Sequence, residues 1–272
     1  MLKKLLLVSL LFFQYCLFSQ AENIQLISWN IQDFGKTKNS SELEQIASII
    51  KEADIIAIQE VVSGYGGAQA VAKLTDILNR KGNAWDYVIS NPTQSPKYAT
   101  ERYAFIWKTK HIKIKNRGTL LSNLKEDIYR EPFLLDFYVA NQKFSVLNFH
   151  SRPFNKNPEA EIKALTKYIT KEFKEPIILA GDFNINEKDS VFNALKNHGY
   201  APAVSEKKTT LKKGCHKNYY LNNAIDNIFY SKEIVRIESG VLDFVTLCEN
   251  LTNARKLSDH LPVYLKFSIN LP

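Results

Sequence analysis

The feature that most constrains this chain is a set of short apolar runs, each ending on or following a cluster of acidic, amide or imidazole residues. Trp29-Asn30, Ile58-Gln59-Glu60, Asn148-Phe149-His150 and Ala180-Gly181-Asp182-Phe183-Asn184 close four of them, and Ser258-Asp259-His260 precedes a fifth. Asp54 to Gln59 and Pro176 to Ala180 are nearly continuous in apolar residues, as expected of strands covered on both faces. Polar groups at the end of such a strand are delivered to one rim of a sheet with little freedom, which is how a preorganised site is made.

Helical spacing supplies the cover. Ser41 and Glu44 form a capping box for a helix whose Leu43, Ile46, Ala47, Ile49 and Ile50 face inward. Gly67 to Arg80 carries Val71, Leu74 and Leu78 on one stripe. Asn157-Pro158 opens a helix with Ile162, Leu165, Ile169 and Phe173 on its apolar side. Val191 to Asn197 is a short helix stopped by Gly199. Aromatic and β-branched residues predict further strands at Ile24 to Trp29, Trp85 to Ile89, Tyr103 to Trp107, Ile112 to Ile114, Phe133 to Val139 and Phe144 to Phe149. Three more are expected at Ala224 to Tyr230, Val241 to Val245 and Leu261 to Ile269. With no linker and no repeat, this order predicts an α/β fold of two packed sheets with helices outside.

The first 21 residues stand apart. Lys3 and Lys4 form a basic start, Leu5 to Phe13 is apolar apart from Ser9, and Ser19 and Ala21 offer small residues for cleavage. This is the layout of a secretory signal peptide, and the run is too short to span a bilayer. The expected organisation is a signal over residues 1–21 and one domain over 22–272, in a secreted or periplasmic protein. The formal net charge of +8 falls to +6 without Lys3 and Lys4, and favours polyanionic partners. An apolar fraction of 45% without low-complexity tracts excludes a disordered chain. Cys16 leaves with the signal. Cys215 and Cys248 remain, as one disulfide or as two buried thiols, and neither has the spacing of a zinc site.

Carboxylate and amide oxygens are the ligands a hard cation such as Mg²⁺ takes, and two histidines can handle protons. Any one cluster could be the solvated start of a loop, and Gly181-Asp182-Phe183-Asn184 alone could be a turn. Five in one chain, each attached to an apolar strand, point to a site. In this the chain resembles the endonuclease/exonuclease/phosphatase superfamily, through Trp29-Asn30, Gln59-Glu60-Val61, His150, Gly181-Asp182-Phe183-Asn184, Asp226 and Ser258-Asp259-His260-Leu261-Pro262. Glu101-Arg102-Tyr103, Arg130-Glu131-Pro132, and His150-Ser151 followed by Pro153 are similar to the deoxyribonuclease I-like branch in particular.

The resemblance implies a four-layer α/β sandwich with the site at one rim of its two mixed sheets. It implies Glu60 as the principal metal ligand, with Asp259 and Asn30 beside it. His150 would be oriented by Glu101 and His260 by Asp226. Asp182 and Asn184 would position the attacking water and contact the phosphate, and Arg130 would bind the phosphate. The implied reaction is in-line attack of water on a phosphodiester of DNA, assisted by Mg²⁺ (Mn²⁺ and Ca²⁺ are the alternatives), leaving a 5′-phosphate and a 3′-hydroxyl. RNA is the alternative nucleic acid. A monomer without stable membrane association is expected. Arg152, beside His150, is a second candidate phosphate contact by position.

Two positions depart from the branch. Val62 stands where an Arg usually enters the minor groove, and Asn227 stands where an Arg follows the Asp. The segment between Cys215 and Asp226 is longer than the pattern, so no structural calcium site carries over. Lys207, Lys208, Lys212, Lys213, His216 and Lys217 precede Tyr219, Tyr220, Asn222 and Asn223. Such a segment can track a phosphate backbone or be a solvated basic loop. His111 and His198 read as surface or packing residues. A lipid-head-group phosphodiesterase or a small-molecule phosphatase would use the same groups, but the branch-specific segments and the lack of an apolar membrane-inserting hairpin weigh against it. A catalytically inactive nucleic-acid-binding protein would lack a metal or proton-transfer group, and none is missing.

Overall fold

The computed structural model describes residues 23–174 and 176–269, so the expected signal peptide over residues 1–21 lies outside the described residues. The chain begins with β1 (Ile24–Phe34), α1 (Ser40–Ile50), β2 (Ile55–Val62), α2 (Tyr65–Arg80), β3 (Trp85–Ile89) and β4 (Glu101–Lys108). Next come β5 (Lys113–Ile114), β6 (Thr119–Leu120), β7 (Phe133–Val139), β8 (Gln142–His150), α3 (Pro158–Glu172) and β9 (Ile177–Asp182). Then follow α4 (Asn193–Asn197), β10 (Ala201–Pro202), β11 (Leu211–His216), β12 (Tyr219–Leu221), β13 (Asp226–Tyr230), β14 (Ile234–Val241), α5 (Leu251–Leu257) and β15 (Val263–Ile269).

One sheet has the order β14-β15-β1-β2-β4-β3 and the other β10-β13-β9-β8-β7-β5, with β6 also paired to β7. Both are mixed: β1 runs parallel to β2, and β8 parallel to β9. The alternation along each strand explains the continuous apolar runs. In β2, Ile55 and Ala57 enter the core between the sheets, where they join Phe105, Phe133, Phe137 and Val146. Ile56 and Ile58 point the other way and pack under Ile46 of α1 and Leu74 of α2. In β9, Ile178 and Ala180 face the inter-sheet core, while Ile177 and Leu179 lie under Ile162 and Leu165 of α3. Fully burying each such side chain stabilises the fold by roughly 1.5–3 kcal/mol. The layers are therefore helix, sheet, sheet, helix, an α/β sandwich.

Several expectations shift. The capping box is Asn39 with Glu42: Asn39 Oδ1 accepts the Glu42 N–H at 3.0 Å and Glu42 Oε2 accepts the Asn39 N–H at 2.9 Å. Ser41 already lies inside the first turn. The strand expected at Val241 to Val245 is displaced, because β14 pairs with β15 only as far as Val241↔Val263. Beyond it, Asp243 Oδ1 accepts the Val245 and Thr246 N–H groups and turns the chain away from the sheet. The β11–β12 hairpin and α5 carry too few apolar residues to show a period, and arise without a sequence signal.

Candidate active site

Two parallel strand pairs end at one rim. The β1–β2 register sets Asn30 beside Gln59, and the β8–β9 register sets His150 beside Asp182, which also faces Asp226 of β13. Close passage of β8 over β9 requires Gly181, where a Cβ would collide with the Phe149 carbonyl. In β2 the ladder to β4 slips between Ile58 and Val61, and Glu60 adopts φ +60°. A non-glycine residue there is strained, a condition that clusters at functional sites.

The carboxylates and imidazoles form one connected cluster. Glu101 accepts from His150 Nδ1 at 3.0 Å, and its Oε2 lies 2.9 Å from Arg130 Nε. Asp226 accepts from His260 Nδ1 at 2.9 Å and from the Thr209 hydroxyl at 2.6 Å. Asp182 sits between the rings, its Oδ2 3.5 Å from His150 Nε2 and 3.8 Å from His260 Nε2. Its Oδ1 accepts the Asn184 N–H at 2.9 Å, and Asn184 itself takes φ +53°. Asn30 Nδ2 links the two sheets, donating to Glu60 Oε1 at 2.9 Å and to Asp182 Oδ2 at 3.1 Å. Asp259 approaches from β15's entry, with Oδ1 4.0 Å from His260 Nε2 and Oδ2 3.8 Å from Arg255.

Charge states follow from these contacts. Burial opposes a charged His260 ring, but Asp226 and Asp182 overcome it and push the pKa up to about 10. His150 is raised in the same way, with burial opposing and Glu101 prevailing. Burial would raise the Glu101 carboxyl, yet His150 and Arg130 hold it below the usual value. Asp182 is raised, by burial first and then by Asp226, with the two imidazoles pulling the other way.

Two places could hold a cation. Asp182, Asp226 and His260 offer atoms within 4.8 Å of one another. His260 there is already hydrogen-bonded to Asp226 and favours its charged form, which cannot ligate. The Asn30–Glu60 pair fits better: Asn30 Oδ1 is buried with no hydrogen-bond partner among the described residues, and the donors are all oxygens. Half-buried Lys38, whose ammonium bonds the Lys256 carbonyl, is held below the usual lysine value by burial, against the pull of Glu42, Asp33, Asp259 and Glu60.

Not every expected residue joins the cluster as expected. Arg152 turns away: its Nε bonds Glu161 Oε1 at 2.7 Å, its Nη2 bonds the Asp127 carbonyl, and its guanidinium stacks over Tyr129. Glu161 is fully buried and needs that cation, so Arg152 is not a phosphate contact. Arg130 is at the cluster, but Nε serves Glu101 and the Ala99 carbonyl, and Nη1 serves the Ser151 carbonyl. Those two atoms are therefore engaged within the protein. Gln59 is a clasp between the sheets, donating to Asn148 Oδ1 at 2.6 Å. Sequence reasoning missed Thr209, which follows Lys207-Lys208 with no local signal, and Lys38, one of many lysines.

The fold and this rim define an α/β sandwich with a carboxylate–imidazole site where two parallel strand pairs end. The chain belongs to the Endonuclease/Exonuclease/phosphatase family, whose model matches residues 27–260. It is 28% identical over 269 residues to a deoxyribonuclease of Thioalkalivibrio, covering 91% of this chain and 72% of that one. Human deoxyribonuclease-1 is 29% identical over 178 residues, 60% of this chain and 61% of the relative. Among solved structures, a mannosyl-6-phosphatase of Bacteroides thetaiotaomicron superposes with a TM-score of 0.67 at 15% identity, covering 90% of this chain and 100% of that one. At that identity the likeness shows the fold alone.

Proposed function

We propose that this protein is an exported endonuclease of a single domain over residues 22–272, hydrolysing DNA phosphodiesters with a divalent metal, Mg²⁺ first. The observation that carries the reading is the convergence of two carboxylate–imidazole pairs on Asp182, with the Asn30–Glu60 oxygens alongside. The deoxyribonuclease names of its relatives support DNA as substrate.

Asn30, Glu60 and Asp259 would hold the cation, which would supply positive charge against the phosphate. Asp182 orients the attacking water and accepts its proton, and the Asn184 side chain faces the phosphate. His260, held in one tautomer by Asp226, and His150, held by Glu101, stabilise the charge that grows on the phosphate and return a proton to the leaving oxygen. Water adds to phosphorus, the P–O3′ bond breaks, and a 5′-phosphate and a 3′-hydroxyl result.

The test is nicking of supercoiled plasmid by the mature protein with Mg²⁺, with EDTA, and with a His260→Ala variant. Nicking that needs metal and His260 supports the reading. A folded protein that leaves plasmid intact with Mg²⁺, Mn²⁺ or Ca²⁺ but hydrolyses sphingomyelin or a sugar phosphate would move the assignment to those substrates.

A further inference from the structure

We propose that the β11–β12 hairpin is a second binding site for the DNA backbone, gripping phosphates that neighbour the scissile bond. The proposal rests on the nuclease reading above and extends it to how the substrate is held.

The hairpin is built onto the catalytic segment. Leu211 N–H donates to the Asp259 carbonyl at 2.8 Å, Leu261 N–H donates to the Thr209 carbonyl at 2.6 Å, and Thr210 pairs with His260. Arg255 bonds the Leu211 and Lys212 carbonyls, and a disulfide joins Cys215 to Cys248 with 5.7 Å between their Cα atoms. The tip is thus held in a fixed direction relative to His260. Leu211 pairs with Leu221 and His216 with Tyr219, so the bulged strand keeps step with two residues of its partner and advances about 7 Å at ~3.3 Å per residue, the rise of about two nucleotides along one strand.

Its chemistry is that of a polyanion track. No acidic residue occurs between Glu206 and Asp226, a stretch holding Lys207, Lys208, Lys212, Lys213 and Lys217. All but Lys212 are exposed. Of the nearby acids, Glu206 pairs with Lys188, and Asp243 accepts the hydroxyl of Tyr220 on β12. Tyr219 is 57% exposed, with the ammoniums of Lys208 and Lys212 each 5.2 Å from its ring. Cations around an exposed aromatic face follow a phosphate backbone and stack on bases.

Two further observations favour a binding role over a solvated loop. Lys217 and Asn218 form the turn between paired His216 and Tyr219, with φ +50° and +62°. That turn favours Asn-Gly, and here its first position holds an exposed lysine at the hairpin tip. Asn227, meanwhile, is buried and bonded to both backbone groups of Val204, so it cannot replace the missing arginine. The hairpin can.

The experiment measures binding of the full mature protein to a duplex of about 30 base pairs in EDTA, as log K against log salt. The variant Lys212→Gln/Lys213→Gln/Lys217→Gln is expected to lower the slope by about 2–3. The control Lys163→Gln/Lys167→Gln/Lys171→Gln, on the exposed face of α3, removes equal charge and is expected to change it by less than about 1. With Mg²⁺, the hairpin variant should lose at least about tenfold more kcat/KM on plasmid than on bis(p-nitrophenyl) phosphate. Equal slope changes in both variants, or none in the hairpin variant while wild type still nicks plasmid, would overturn the hairpin site and leave the nuclease reading standing. Hydrolysis of the small diester by a protein that neither binds nor nicks DNA would remove both.

Discussion

At the scale of single residues, the two histidines differ in what fixes them. His260 leans on Asp226, which is itself held by the Thr209 hydroxyl at 2.6 Å. Thr209→Val keeps the shape and removes that bond, so kcat should fall about tenfold with KM little changed, as steady-state kinetics would show. His260→Ala and Glu60→Ala should each lower kcat by a factor of at least about 10² to 10⁴, with the circular dichroism spectrum of the folded protein retained. Near-wild-type turnover in either would remove that residue from the site. Arg152 offers the sharper contrast. As the partner of buried Glu161 it is structural, and Arg152→Ala should destabilise the fold by about 3–5 kcal/mol in urea, because an uncompensated carboxylate is left inside. A phosphate contact would instead raise KM and leave the urea midpoint where it was.

At the scale of elements, the joint between the sheets carries the site. Asn148 receives the Gln59 amide and donates to the carbonyls of Ile58 and Ala104, so it ties β8 to both β2 and β4. Asn148→Leu strands those groups without partners and should cost about 1–3 kcal/mol for each one left unsatisfied, read as a lower urea midpoint at unchanged m-value. An unchanged midpoint would mean the joint relaxes without it. This scale also shows what the sequence could reveal. Strands buried on both faces, such as β2 and β9, announce themselves by continuous apolar runs, and their polar ends mark the rim directly. The family pattern then named Glu60, Glu101, His150, Asp182, Asp226 and His260, which the fold brings into one cluster. The hidden parts are those whose order comes from long-range partners. The β11–β12 hairpin is fixed by Asp259, Leu261 and a disulfide, and Arg152 by a glutamate nine residues away on α3. Local period carries no trace of such contacts.

At the scale of the whole molecule, the site makes stability depend on pH in a definite direction. His260 has a folded pKa of about 10, above its usual 6.5, and His150 is raised as well. A group raised on folding stabilises fully below its unfolded pKa, and that contribution fades as pH climbs through the folded value. Glu101 is shifted the other way, below its usual 4.5, so its contribution is present above that pH and is lost as pH falls. The metal-free protein should therefore be most stable between these limits, with thermal midpoints declining from pH 6.5 towards 10. His260→Gln removes the basic-side contribution. In EDTA, the midpoint gap between wild type and this variant should be widest at pH 6.5 and below and close as pH nears 10. A gap that widened with rising pH would mean the imidazole is held neutral in the fold. The ring could then not be the acid that serves the leaving oxygen at neutral pH, and the proton would have to come from His150 instead.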